Sequence, residues 1–412
     1  MASAGKPRGI VINLSFLRAA RWFGPDRAVN YAKVVAIAYV PILLWIYKGA
    51  IGSVGCDFMA FWSAAKLTLQ GNPAGAYDAA TQSAFQGALG RPYFFPFISP
   101  PPFLAVAAPF GLLPYPVALP VWVVTTFTAY LVAARRLAPK GLWPIAAYSA
   151  CLVNAMYGQV GFLTAALLIG AITLLEKRPF VAGLLFGALV IKPHMGVLIP
   201  VALIAGRQWR AFGGAALSFL ALAIGGYLLF GPAATRAFLE TTSLSASLLT
   251  DTGGSVKMLF SVLPKTPSAF AVVKILSGSQ AAAAGAQVIL LAALCIVIWR
   301  VWARPGDLMA KGAALAAATV LTSPYLLNYD LVLLILPICW LAQQGLRHGF
   351  WPWERALLAM IYWMPFVSLA ATALVGFDLA FFSSLLLLWM VWRRWSLGAP
   401  PAEVPARATV IP

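Results

Sequence analysis

"VGCDFMAFWSAAKLTLQGNPAGAYD", residues 54–78, follows directly on the first long apolar run of the chain and carries two of its eleven acidic side chains, Asp57 and Asp78. At helical spacing Phe58, Phe61, Trp62, Ala65 and Leu69 form one apolar stripe, while Ser63, Lys66 and Gln70 lie off it. Gly71-Asn72-Pro73 ends the helix, and a second helix starts after Asp78. The pattern predicts an amphipathic helix in a membrane interface, with its Phe and Trp on the lipid side. Each aspartate has a plain structural reading as an N-cap, worth about 1 kcal/mol. For Asp78 that reading is preferred. Asp57 reads instead as a general base just above the bilayer, kept ionised by the helix dipole.

Composition sets the frame for this stretch. Of 412 residues, 62% are hydrophobic and 10% charged. A soluble domain is about half apolar and about a quarter charged. Apolar runs of about 20 residues, long enough to cross a bilayer, recur along the whole chain. The fold class is therefore all-α and polytopic, with membrane lipids as its surroundings. The formal charge of +18 does not point to nucleic acid, because the basic residues fall in short clusters between apolar runs. No GxxxxGK[ST] loop, HExxH site or DxD pair is present, and Cys56, Cys151, Cys295 and Cys339 are too far apart for a zinc site or a disulfide framework. No metal site and no cofactor is predicted.

Placing the basic clusters on the cytoplasmic side threads the chain. They are the N-terminal segment 1–32, Arg135/Arg136/Lys140, Lys177/Arg178, Arg207/Arg210, Arg300/Arg304/Lys311, Arg347/Arg355 and Arg393/Arg394. The spans between them must leave and return in pairs. A transmembrane domain over 33–396 then has about twelve helices. Its first outer loop, 53–114, holds interfacial and juxtamembrane helices, and its second spans 231–283. Both termini are cytoplasmic, and the Pro/Ala-rich tail 397–412 reads as disordered. Only 28 residues separate Arg178 from Arg207, so "KPH", 192–194, is the outer turn of a short hairpin. The same threading places Asp57, Gln159, Lys192, His194, Asn328 and Asp330 on the outer face. Asp78, Glu240, Asp251 and Asp378 join them there.

The quoted stretch resembles the first outer loop of the GT-C membrane glycosyltransferases, in glycosyltransferase family eighty-seven. There the pattern is Asp-Phe, an aromatic-rich helix, Gly-x-Pro and then Tyr-Asp. Four further segments follow in the family's order: "PFISPPPFLAVAAPFGLLP", "YGQVGFL", "LVIKPHMGVLIPVALIAGRQWRAF" and "TSPYLLNYDLVLL". The likeness covers about residues 50–345. The chain departs from the family at Phe95-Pro96-Phe97, where Tyr-Pro-Pro is usual, and at Val160, where Asn is common. The resemblance implies a GT-C-like transferase in the cell inner (plasma) membrane. Such an enzyme moves a sugar, mannose or another hexose or pentose, from a polyprenyl-phosphate donor to a glycan or glycolipid acceptor at an extracytoplasmic active site. Carried over by position, the outer-loop aspartate is Asp57, the Lys-Pro lysine is Lys192, and the late motif is Ser323 to Asp330. Some relatives with the same broad fold use a divalent metal.

Chemistry points to the same residues. A lipid-phosphate donor carries its own leaving group, so one carboxylate base is enough and the acid/base pair of a glycosidase is not needed. Cations must sit where the phosphate charge grows. A lysine inside a bilayer costs roughly 2.5–3.5 kcal/mol, which makes Lys192 a candidate. The plainer alternative is an interfacial turn with the amine snorkelling to water. His194 reads as a hydrogen-bonder behind the site, and Arg91 as a further phosphate ligand or a solvated loop arginine. Asp330 either caps its helix or binds sugar hydroxyls with Asn328 and Tyr329. Gln159 is a turn residue, an interhelical hydrogen-bonder or a substrate contact. The fifteen tryptophans read mainly as interface anchors, Trp62 among them. The alternative function is a transporter or flippase of a lipid-linked sugar, which would be expected to show inverted repeats. A noncatalytic envelope scaffold is a further alternative.

Overall fold

Pro25 stands at the first position of a 28-residue helix, where its missing N–H is no loss, and the helix runs unbroken through Pro41 to Gly52. The computed structural model describes residues 15–20, 22–52, 56–90, 94–137, 141–250 and 262–400. Arg91, Asp251 and the tail from residue 401 lie outside these. No strand occurs among the described residues. Among the described residues six helices are long and apolar enough to cross a membrane: Pro25–Gly52, Tyr115–Leu137, Trp209–Thr242, Gln280–Ala303, Asn328–His348 and Glu354–Val375. The protein is thus an all-helical polytopic membrane protein. The remaining apolar helices are shorter, among them Gly161–Leu174, Pro179–Ile191, Pro193–Ala205 and Leu308–Thr319. Proline and glycine explain part of this shortness. Pro193 follows Lys192, whose backbone (φ −145°, ψ 75°) breaks one helix from the next.

Hydrogen bonds between distant segments sort the helix ends into two layers. In one, Trp353 N donates to Arg18 O (2.8 Å), and the Arg355 guanidinium donates to Ala20 O (2.9 Å). Gln343 reaches Leu137 O at 3.1 Å, and Trp340 reaches Asp307 at 2.9 Å. Arg394 grips Glu354 in the same layer. The other layer holds Asp57, the 157–161 turn, the 192–194 turn, residues 322–330 and Asp378. It is tied by bonds such as Thr322 Oγ1 to His194 O (3.3 Å) and Ser268 Oγ to Pro324 O (3.2 Å). The Asn328–His348 and Glu354–Val375 helices each have one end in either layer. Asp57, Gln159, Lys192, His194, Asn328, Asp330 and Asp378, grouped by the charge pattern of the sequence, are therefore also grouped in space.

One expectation fails. The Phe58–Leu69 helix does not turn its aromatic residues to lipid. Phe58, Phe61 and Trp62 are buried, as is Ser63 on the opposite side. Phe58 stacks on Tyr115 and Trp122 with centroids 6.0 and 5.9 Å apart, and Phe61 meets Phe103 edge-on at 4.8 Å. The Trp62 indole donates to Leu113 O at 2.9 Å, so it is not an interface anchor. Ser63 donates to Gln82 (2.7 Å) and accepts from Gln86 (3.1 Å), which locks the following Ala79–Gly87 helix against it. Gly111, at the end of the Pro102–Gly111 helix, permits close approach on the other flank: a Cβ there would lie 2.8 Å from Ala65 Cβ. The physical reason is that lipid tails and aromatic rings are alike in polarity. An apolar stripe in a membrane protein is therefore free to settle where packing is tightest.

Candidate functional site

The two aspartates of the opening stretch part company at the backbone. Asp78 is extended (φ −83°, ψ 117°), the geometry that lets a cap side chain fold over its own helix. Its carboxylate accepts from Thr81 N at 2.7 Å and from Thr81 Oγ1 at 2.6 Å. The cap reading holds for Asp78. Asp57 is already in helical geometry (φ −54°, ψ −27°), and its side chain caps nothing. It points instead at a residue 102 positions away: Gln159 Nε2 donates to Asp57 Oδ2 at 2.9 Å.

The "YGQVG" turn is shaped to make that contact. Gly158 adopts φ +63°, and a Cβ there would sit 2.7 Å from Phe58 Cβ. At Gly161 a Cβ would meet Tyr329 O at 2.4 Å and Asn154 Oδ1 at 2.5 Å. Only glycine at both positions lets the turn lie between the Asp57 helix and residues 328–330. The Trp122 indole fixes the turn by donating to Gly158 O at 2.9 Å. Asn154 accepts from Gly161 N at 2.9 Å. Gln159 is thus a turn residue and an interhelical hydrogen-bonder at once.

Lys192 faces the same space. Its amine pairs with the Asp330 carboxylate and lies 5.0 Å from the centroid of the Tyr329 ring. Tyr329 in turn meets Tyr157 at 6.1 Å. The Lys192 side chain is 13% exposed, so it neither snorkels fully to water nor is sealed. Asp330 is buried and neither caps a helix nor opens to solvent. Lys192, Tyr157 and Tyr329 all lie within electrostatic reach of Asp57. So does Lys265, an exposed residue of the short Leu263–Lys265 turn.

Asp57 is half-buried. Burial pushes its carboxyl above the ordinary aspartate value, and the Gln159 hydrogen bond, Lys192 and Lys265 draw it back only in part. This corrects the expectation that the helix dipole dominates and holds the group low. The corrected picture suits catalysis better, since a carboxylate with a raised pKa is the stronger base.

His194 stands beside Lys192, but its Nε2 is buried with no partner among the described residues, so it does not hydrogen-bond there as expected. Asn328 is buried too. Its amide donates to Asp378, itself buried, at 2.6 Å. Among the described residues no three His, Cys, Asp or Glu side chains come together in a way that could hold a metal. Sequence reading missed Lys265, Tyr157 and the role of Asp378. The signal for Lys265 was a cation held between two prolines, "LPKTP".

Among the described residues, helices long and apolar enough to cross a membrane carry a charged cluster gathered at one end of them. The chain belongs to glycosyltransferase family 87, whose family model matches residues 97–324. No curated protein and no solved structure matches it. The matched segment contains Gln159, Lys192, His194 and Lys265, while Asp57 and Asp330 flank it. The protein is a membrane glycosyltransferase.

Proposed function

We propose that this glycosyltransferase takes its sugar from a polyprenyl-phosphate carrier and passes it to a hydroxyl of a glycan or glycolipid on the extracytoplasmic face, with Asp57 as general base. The acceptor O–H gives its proton to the Asp57 carboxylate as the oxygen bonds to the anomeric carbon. The bond from that carbon to the phosphate oxygen breaks, and polyprenyl phosphate leaves with the electron pair. Lys192, with Lys265 at the rim, lies where the growing phosphate charge needs cations. The membrane frame is read as GT-C-like. In this reading the short apolar segments 143–157, 161–174, 179–191, 193–205, 308–319 and 380–397 join the six long helices to make up the twelve or so spans expected from the charge pattern.

One observation carries this reading. The Asp57 carboxylate is not spent on its own helix but is held by Gln159, within reach of two ammonium groups. Replacing Asp57 by Asn tests it. Removing a general base lowers the rate by about 10²–10⁴-fold. The variant, purified and inserted in membranes, should lose transfer from polyprenyl-phosphate mannose by that order. It should also be no less stable than the parent at neutral pH. The folded pKa of Asp57 is raised above its unfolded value, so the charged form opposes folding above the folded pKa, and that penalty fades as pH falls below it. Asn removes the penalty. Retained transfer excludes Asp57 as the base, and movement of the intact lipid-linked sugar without bond cleavage would favour a flippase.

A further inference from the structure

Asp378 lies 48 residues beyond Asp330 in sequence and is fully buried. Among the described residues no cation faces it: the groups that act on it are all hydrogen-bond donors. Its Oδ2 accepts from Asn328 Nδ2 at 2.6 Å. Its Oδ1 accepts from the Ser368 hydroxyl and from Ala380 N, the latter at 2.8 Å. Ser368 sits near the end of the Glu354–Val375 helix, and Ala380 opens the Ala380–Leu397 helix. One carboxylate therefore joins two helices to the first residue of the 328–334 turn. The next two residues of that turn carry the ring and the carboxylate that meet Lys192.

A bare buried carboxylate is a costly way to hold two helices together, because its charge is desolvated with no cation to offset it. Asn328 adds to the expense, since its Oδ1 is buried with no partner among the described residues. A pair of apolar residues would pack the same helices without either penalty. What an apolar pair cannot do is fix the direction of the Asn328 side chain, and with it the register of Tyr329 and Asp330. A short charge-assisted hydrogen bond does this well.

We propose that Asp378 is a positioning residue for the transfer site: through Asn328 it sets the 328–330 turn so that Asp330 holds Lys192 on the side of Asp57. The proposal rests on reading Lys192 as part of that site, and its test separates the two.

The experiment uses the full chain in lipid nanodiscs, with three variants: Asp378→Asn, Asn328→Asp and the double swap. Asp378→Asn replaces the charge-assisted bond by a neutral one that forms only when the Asn328 amide turns over. The swap restores one donor facing one acceptor with the polarity reversed and the net charge unchanged. The first readout does not depend on activity: the rate at which Lys192 is acylated by an amine-reactive ester, followed by mass spectrometry with exposed Lys265 as internal reference. Asp378→Asn should raise Lys192 labelling several-fold relative to Lys265, and the swap should bring it back. The second readout is transfer from polyprenyl-phosphate mannose to a membrane lipid extract. A hydrogen bond to a charged group corresponds to a loss of roughly 10- to 100-fold in kcat. The KM for the donor should stay within about threefold, because the loss falls on the transition state. The swap should recover most of the rate. Unchanged Lys192 labelling in Asp378→Asn overturns the proposal, as does a swap no better than that single variant. If labelling responds as expected while the parent transfers nothing from this donor, the donor assignment fails and the positioning of Lys192 by Asp378 stands.

Discussion

The two ends of the helix bundle each hold a buried ion pair, and the pairs are built differently. At the basic end the Arg394 guanidinium meets Glu354 with two parallel bonds, Nε to Oε1 at 2.9 Å and a terminal nitrogen to Oε2 at 2.6 Å. The same terminal nitrogen also donates to Gly349 O at 2.6 Å, and Glu354 Oε2 accepts from Trp351 N at 2.9 Å. Two segments of chain meet there, the 349–354 connection and the last helix, and the donors and acceptors are largely committed. At the other end Lys192 offers three protons, yet its described partners are one Asp330 oxygen and the face of one ring. Asp57 nearby has one described side-chain donor, Gln159. Evolution has satisfied the charges of one end and left capacity at the other. Saturated charge marks architecture, whereas charge with capacity to spare marks a place for a ligand.

The largest expected effect tests the saturated pair. Arg394→Met leaves Glu354 buried and unpaired, which costs about 3–5 kcal/mol. The folded yield and the thermal midpoint in detergent should fall accordingly. The molecules that do fold should transfer sugar at the parental rate per mole, because Arg394 stands at the far end of the bundle from Asp57. A loss of specific activity without a loss of stability would erase the distinction between the two ends.

Replacing both members of each pair by apolar residues sharpens the contrast. Well-packed apolar substitutes for a buried ion pair are often neutral or stabilising. Glu354→Leu/Arg394→Met and Asp330→Leu/Lys192→Met should therefore resemble each other in thermal stability. They should differ in turnover. The first should retain activity, and the second should lose about 10²–10³ in kcat, the usual consequence of removing a group that stabilises charge in a transition state. Equal turnover in the two double variants would mean that Lys192 acts only as a strut.

Much of this division is legible in the amino-acid sequence. The basic clusters sort the helix ends, and a lysine inside a 28-residue apolar hairpin demands an explanation. Asp57 and Gln159 stand out because polar residues are scarce in so apolar a chain. Choices between partners of equal polarity are not legible there. Whether Phe58 and Trp62 face lipid or protein stays open, because hydropathy does not distinguish the two in a membrane. The links from Asp57 to Gln159, from Lys192 to Asp330 and from Asn328 to Asp378 span 102, 138 and 50 positions. No local period encodes such contacts. Arg394 is legible only as one more cytoplasmic charge, and its grip on Glu354 depends on how the last two helices fold back on each other.

The smallest effect asks whether commitment or location decides a charge's role. Asp78 lies in the same connection between long helices as Asp57, but its carboxylate is given to Thr81. Those bonds hold it below the ordinary aspartate value. A depressed folded pKa means that the cap stabilises the protein at pH values above the unfolded pKa, near 4, and that this stabilisation is lost as the carboxylate protonates below it. Asp78 is exposed, so the contribution should be no more than the ~1 kcal/mol of an ordinary cap, reduced by solvent screening. Asp78→Ala should lower the thermal midpoint slightly above about pH 5, and parent and variant should converge below about pH 4. Transfer at neutral pH should be unchanged. A drop in kcat comparable to that of Asp57→Asn would show that any acid in this loop serves the reaction. Parental turnover would show that an aspartate here must be free of its own helix before it can act on a substrate.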